Sequence, residues 1–460
     1  MPVLTCRIRE QQRPAGGRRF SPSELVYALN VLVRSPLRPE RTTVVLWFVM
    51  ILTHVVIFVA VLPEMLEGQF VGDVNVYSNW ATKALEGGGW PVFAHDWVYP
   101  AGALLPVMLP KVFGPHLYQV VWFVLILIAN SVALWGLIRW GRKLRNQSAA
   151  MFWVLTIAIM SPVALLRLEG FTAPAVIIGL LFLATRPKIA GVLLAAATWI
   201  KVWPAAVLVS IVIVSTKRWL VVAMGAVVTV VVVAVVWIGG GIHHITSFVN
   251  AQNGRPLQIE ATLSTPWLWM AVFHVPGAHH IHDTALVTEE ITGPGDKWMV
   301  DNGTYLMLGV LAAIMVVLVI ATKRLSRLTH PMGKEVDLVL VGAFALASAF
   351  IVFNKVGSPQ YMLWLTPIVA VGLVIRPPDW KVPAILMIPI AVLTTLVFPC
   401  FYNSLLDLDP LLAAILGARN LLLVVVLGWS VVKICSAAFV THPIPLGTRP
   451  LGTPIRSTSY

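Results

Sequence analysis

The chain has 460 residues, of which 58% are hydrophobic and only 12% charged, with a mean hydropathy of +0.84. A water-soluble domain carries about 25% charged residues, so this composition excludes a soluble globular protein and makes the bilayer the solvent. The net charge of +13 does not call for a nucleic-acid partner, because the basic residues alternate with apolar stretches as the positive-inside rule requires.

Residues 1–43 read as a basic cytoplasmic tail. It has no apolar run ending in a small-residue cleavage site, so the first helix is expected to act as an anchor and not as a signal peptide. Apolar stretches able to cross a ~30 Å hydrocarbon layer then recur at 44–65, 117–140, 149–166, 171–185, 188–200, 203–216, 218–240, 303–322, 336–353, 360–376, 382–400 and 411–436. The predicted fold class is therefore an all-α polytopic membrane protein of about 12 transmembrane helices, although the stretches beginning at 171, 188 and 203 are shorter than a full span should be. Residues 44–440 read as a single transmembrane domain, and 441–460 as a second cytoplasmic tail.

With the N-terminus inside, 25 of the 33 Lys and Arg fall on the cytoplasmic side and 14 of the 20 Asp and Glu fall opposite. Both termini are then cytoplasmic in a multi-pass protein of the cell membrane. Two long loops, 66–116 and 241–302, lie on the other side. The first contains an amphipathic run from Val76 to Leu85, a triple-glycine break and an apolar stretch from Ala101 to Val112. These read as interfacial helices, whose aromatic residues Tyr77, Trp80, Trp90, Trp97 and Tyr99 suit the headgroup zone.

Charges next to apolar stretches are costly and are normally paired or functional. On the non-cytoplasmic side these are Asp73, Arg167, Glu169, Lys201, Arg255, Glu260, Lys355 and Arg419. Several cations and few carboxylates beside lipid suit a ligand with an anionic headgroup and an apolar tail, such as a lipid phosphate. Taken singly, each has a plainer reading: a helix cap for Asp73, local ion pairs for Arg167 with Glu169 and Arg255 with Glu260, and snorkelling for Lys201, Lys355 and Arg419.

The run His279-His280-Ile281-His282-Asp283 offers metal-binding side chains, but adjacent histidines in an extended segment point different ways and no second cluster completes a shell. No metal is expected. His243 and His244 have an equally modest claim, and His54 reads as a core residue. Cys6, Cys400 and Cys435 are too few and too scattered for a disulfide framework.

Five motifs in order through the chain resemble glycosyltransferase family 87, the polyprenol-phosphate-sugar-dependent membrane mannosyl- and arabinofuranosyltransferases of the C-type glycosyltransferase fold. Gly72-Asp73-Val74-Asn75-Val76-Tyr77 with Trp97-Val98-Tyr99-Pro100 is similar to the family's first-loop pattern, except that Ala101 replaces a second proline. Arg167-Leu168-Glu169 resembles its Arg-x-acid element and Lys201-Val202-Trp203-Pro204 its Lys-aromatic-Pro element. Arg255-Pro256-Leu257-Gln258-Ile259-Glu260 looks like an Arg-x-Leu-Gln-Ile-Glu element, with Ala261 where a serine often follows. Ser358-Pro359-Gln360-Tyr361 matches a Ser-Pro-Gln-Tyr element.

The resemblance implies inverting transfer of a sugar, mannose before arabinofuranose, from a polyprenyl phosphate to a cell-envelope glycolipid or glycan outside the membrane. In that scheme Asp73 is the general base, and Lys201, Lys355, Arg167, Arg255 and Arg419 bind the donor phosphate. Glu169, Gln258, Glu260, Gln360, Tyr361, Tyr77 and Tyr99 position the sugar or acceptor. The donor is a substrate and no cofactor is implied. A transporter or flippase of a lipid-linked or anionic solute is the alternative, for which a midplane site and paired repeats would be expected.

Overall fold

A computed structural model describes residues 39–67, 69, 71–143, 146–250, 255–283, 288–327 and 332–439. The two tails expected at 1–43 and 441–460, and with them Cys6, lie outside these residues save for 39–43, which open the first helix. The chain is predominantly α-helical.

The main helices are α1 (Pro39–Ala60), α2 (Asp73–Leu85), α3 (Tyr118–Lys143), α4 (Ser148–Ile159), α5 (Glu169–Phe182), α6 (Pro187–Ile200), α7 (Ala205–Val214), α8 (Arg218–Ile238), α9 (Asp296–Leu325), α10 (Met332–Phe353), α11 (Met362–Ile375), α12 (Pro377–Thr395) and α13 (Pro410–Phe439). Every apolar stretch expected to span overlaps one of them. Seven segments, those of α1, α3, α8, α9, α10, α12 and α13, are long and apolar enough to cross a membrane, which makes this a multi-pass membrane protein. The other five, α4, α5, α6, α7 and α11, have 10 to 14 residues. At 1.5 Å per residue they rise only about 15–21 Å, less than the hydrocarbon thickness, so length and composition identify seven of the expected twelve as spans among the described residues.

Short connections make α3 and α4, α5 and α6, α6 and α7, α10 and α11, and α11 and α12 antiparallel neighbours. Consequently Asp73, Arg167, Glu169, Lys201 and Gln360 all fall at one end of the bundle. Arg142, Arg186, Lys188, Lys217, Arg218, Arg376 and Lys381 collect at the other, where Arg376 pairs with Asp337 and Asp379.

At the centre stands α11, buried along Met362–Val374 and packed by α4, α5, α10 and α12. It contains Pro367, which cannot donate to the carbonyl of Leu363. The neighbouring Thr366 hydroxyl donates to that carbonyl instead, at 3.0 Å, a repair that keeps a proline tolerable in an apolar helix. His54 is a buried member of the α1–α3 contact, bonded to the Met50 carbonyl at 2.8 Å and to Asn130 at 3.3 Å.

The amphipathic run of the first loop is α2, which buries Val74, Tyr77, Ser78, Ala81 and Ala84 along one face, the spacing of a helical stripe. The Ala101–Phe113 stretch is a chain of short helical turns. In the second loop an antiparallel hairpin, β1 (His279–Asp283) with β2 (Thr288–Thr292), was not anticipated. It joins Leu257, Ile259, Leu268, Val397, Leu405 and Leu416 in a second, smaller apolar core.

Candidate active site

Asp73 begins α2, and the chain enters it through Gly72 at φ +64°, a backbone conformation that glycine adopts without steric cost. An acid in the first turn also benefits from the partial positive charge of the helix N-terminus. One turn later the Tyr77 ring is wholly buried and stacked on Trp122 at 5.2 Å. Burial drives its phenol well above the ordinary range, so its hydroxyl is a donor, and it reaches Asp73 Oδ2 at 3.4 Å.

Arg167, in the turn before α5, places its Nη1 3.1 Å from the same Oδ2 and donates to Gln360 Oε1 at 2.6 Å. Its guanidinium lies over the Phe398 ring at 5.5 Å, because the end of α12 breaks helical geometry at Phe398 (φ −134°, ψ 123°). Both contacts to the Asp73 carboxylate use Oδ2. Among the described residues Oδ1 has no partner, and 27% of this side chain is exposed.

Lys201 adopts an extended conformation that ends α6 (φ −150°, ψ 135°). Its Nζ is 3.2 Å from Glu169 Oε1 and 4.5 Å from the centre of the Tyr99 ring. Trp364 Nε1 donates to the same Glu169 oxygen at 3.3 Å, and Tyr361 packs on Trp364 at 4.0 Å. Glu169 is fully enclosed, so of the two carboxylates only Asp73 is open to an incoming hydroxyl. Charge couples Lys201 to Glu169, Tyr99, Tyr361 and Asp73 together, and Arg255 acts on Tyr361 from the second loop.

A second polar group adjoins this one through Arg167. Glu260 receives hydrogen bonds on Oε2 from Gln258 at 3.4 Å and Tyr402 at 3.5 Å. Burial pushes its carboxyl up to about 7, and the guanidiniums of Arg419 and Arg167 limit the rise. Arg419 is buried in α13 and donates to the Glu260 backbone carbonyl and to Asn420 Oδ1. Glu260 Oε1 and Arg419 Nη1 have no hydrogen-bond partner among the described residues.

Lys355 stands apart. Its Nζ donates to the Val300 carbonyl at 2.8 Å and its own carbonyl accepts from Gln258 N–H at 3.0 Å. Burial lowers its ammonium, offset in part by Asp301. Gln258 Oε1 also accepts from Gly357 N–H at 3.0 Å, so the Gln258 and Lys355 segments hold each other. In β1, His280 and His282 share a face and both turn to Glu289, at 2.7 and 2.8 Å.

The structure thus assembles Asp73, Tyr77, Arg167 and Gln360 in one set of contacts and Glu169, Lys201, Tyr99 and Tyr361 in a linked one. Trp364, Phe398 and Tyr402 are site neighbours that the sequence did not single out. Trp364 has the readable signal: it lies four residues after Gln360, close to one turn along α11.

The profile of glycosyltransferase family 87 matches residues 97–282, a stretch that holds Tyr99, Arg167, Glu169, Lys201, Arg255, Gln258 and Glu260 but not Asp73. No curated protein matches the chain, and no solved structure does. The chain is therefore similar to glycosyltransferase family 87 over rather less than half its length.

Proposed function

We propose that this protein is an inverting glycosyltransferase, moving a sugar, mannose in the first instance, from a polyprenyl phosphate to a cell-envelope glycolipid or glycan on the outer side of the membrane. One observation carries the reading: the Asp73 carboxylate has Oδ2 held by Arg167 and, among the described residues, no partner on Oδ1, at the end of the bundle where the charge of Lys201 acts on it. The family match across 97–282 supports it.

In the reaction the acceptor hydroxyl gives its proton to Asp73 Oδ1 as its oxygen bonds to the anomeric carbon. The bond from that carbon to the phosphate oxygen breaks on the opposite face, and its electron pair leaves with the lipid phosphate. Arg167, Lys201 and Arg255 neutralise the charge that builds on the departing group, where preorganised donors act most strongly. Burial favours the neutral form of the Glu260 carboxyl, which lowers the negative charge that the cations of this region face. Arg419 serves by fixing Glu260, and Lys355 by fixing the Gln258 loop. No metal enters the scheme, because cationic side chains neutralise a single phosphate.

Arabinofuranose from the analogous donor is the second sugar. A transporter reading has one observation in its favour, the short helices whose ends meet at charged residues. Membranes containing the protein, given radiolabelled polyprenyl-phosphomannose or polyprenyl-phosphoarabinose with extracted envelope glycolipids, separate the three. Label in a glycolipid product identifies the sugar, and uptake without any product supports transport.

A further inference from the structure

Toward the end of the bundle opposite Asp73, a groove of ≈ 480 Å³ opens between α1, α4, α11 and α12. Its walls are apolar and follow helical spacing: Leu46 and Val49 on α1, Met151 and Leu155 on α4, Ala384 and Ile388 on α12. Only two of its lining residues are polar, Lys381 and Ser148. We propose that this groove binds one acyl chain of an anionic phospholipid from the leaflet at the basic end, with the lipid phosphate on Lys381. The site takes no part in the reaction described above and stands whether or not that reading holds.

The dimensions fit a chain of one leaflet. Along α4 the groove runs from Ser148 to Ala158, about 15 Å at 1.5 Å per residue and so half of a ~30 Å hydrocarbon layer. Both polar residues belong to the basic end, since α4 and α12 each begin there. A polyprenyl phosphate donor would have its phosphate at the opposite end, beside Asp73, and its headgroup would not meet Lys381.

The charge fits an anion. Lys381 is exposed, and among the described residues its ammonium has neither an ion-pair nor a hydrogen-bond partner. The acids of this end are already engaged: Asp379 by Arg376 and Lys433, and Asp337 by Arg376 and by Trp380 Nε1 at 3.0 Å. No acid lines the groove. Basic pockets between transmembrane helices are where anionic headgroups bind. Snorkelling alone would account for Lys381 but not for Ser148, whose Oγ is buried with no hydrogen-bond partner among the described residues. A buried hydroxyl left unpaired is costly, and a phosphate or ester oxygen of the lipid supplies the missing acceptor.

The groove is also shaped before a ligand arrives. Asn146 donates from Nδ2 to the Leu373 carbonyl at 3.1 Å and accepts the Ser148 N–H at 2.9 Å. This ties the start of α4 to the end of α11, where the buried Leu373 also lines the groove. A lipid chain seated there fills the space between α1, α4 and α12, so its binding stabilises the bundle.

The test uses the full-length protein in detergent, stripped of lipid and titrated with phosphatidylglycerol, phosphatidylcholine of the same acyl chains, or polyprenyl phosphate. Native mass spectrometry reads the bound lipid and thermal unfolding reads its effect. The variants are Lys381→Gln, Ala158→Phe to fill the groove, and Arg139→Gln as a control, an exposed cation of α3 that does not line it. Ile385→Trp, at the exposed rim, replaces Ala158→Phe if that variant does not fold. The expected result is one phosphatidylglycerol per chain, bound about fivefold more tightly than phosphatidylcholine, the effect of one lysine near an anionic headgroup, together with a raised melting temperature. Lys381→Gln is expected to lose the preference, the groove-filling variant to lose both binding and stabilisation, and Arg139→Gln to behave as wild type. Equal binding of the two phospholipids, or equal loss in Lys381→Gln and Arg139→Gln, overturns the site. Displacement of phosphatidylglycerol by an equal concentration of polyprenyl phosphate, lost in the groove-filling variant, overturns it in favour of an isoprenoid occupant.

Discussion

Arg167 Nη1 stands 3.1 Å from Asp73 Oδ2 and, through the same nitrogen, 2.6 Å from Gln360 Oε1. One guanidinium therefore ties the start of α2 to the turn before α5 and to the turn before α11. It fixes which carboxylate oxygen is occupied and which, in the proposed reaction, faces the acceptor. Arg167→Lys keeps the charge but loses the planar fork. Because sub-ångström placement of a catalytic group governs rate, this variant is expected to lower kcat about ten- to a hundredfold with little change in KM for the donor, measured by steady-state transfer.

Lys201 and Glu169 form a pair with 13% and 0% of their side chains exposed. Removing one member of such a pair leaves a charge without its partner, at a cost of about 3–5 kcal/mol. Lys201→Met is therefore expected to lower the detergent melting temperature sharply, and Lys201→Met with Glu169→Gln to recover most of the loss without recovering transfer. Equal melting of the single and double variants would show that the pair is not coupled.

The buried carboxyl of Glu260, pushed up to about 7, makes stability depend on pH in a stated direction. Between the ordinary value near 4.5 and about 7, the unfolded chain has lost this proton and the folded chain keeps it. The unfolded state binds fewer protons there, so stability falls as pH rises through that window and levels off above it. Thermal unfolding at pH 5 and pH 7.5 is expected to show a larger drop in wild type than in Glu260→Gln, which has no proton to lose.

Tyr99 lies against the Lys201 ammonium at 4.5 Å. Tyr99→Phe keeps the ring and Tyr99→Leu removes it. A cation–π contact contributes about 0.5–2 kcal/mol, so Tyr99→Leu is expected to raise donor KM several-fold while Tyr99→Phe stays near wild type.

Much of this was legible in the sequence, and for physical reasons. Apolar length and the Lys/Arg distribution locate the helices and sort their ends, and the alternation of short connections is enough to bring Asp73, Arg167, Glu169, Lys201 and Gln360 to one end. The stripe Val74, Tyr77, Ser78, Ala81 and Ala84 announces α2. Hydropathy counts apolar residues without seeing where a helix stops, so the shortness of α4, α5, α6, α7 and α11 was only partly visible. Side-chain direction was not visible either. Lys355 and Lys201 look alike in sequence, yet one bonds the Val300 carbonyl and the other meets Glu169. Phe398 enters the site through a break in helical geometry just beyond α12, and Glu289 faces His280 and His282 from a hairpin whose polar strands carry little apolar alternation.

The central claim is that Asp73 takes the acceptor's proton, and the most direct measurement compares wild type with Asp73→Asn in membranes given radiolabelled polyprenyl-phosphomannose and extracted glycolipids. General-base assistance contributes about 10²- to 10⁴-fold, so the account predicts that equally expressed Asp73→Asn loses transfer by at least that much while still binding the donor lipid. Transfer at the wild-type rate by Asp73→Asn would contradict it.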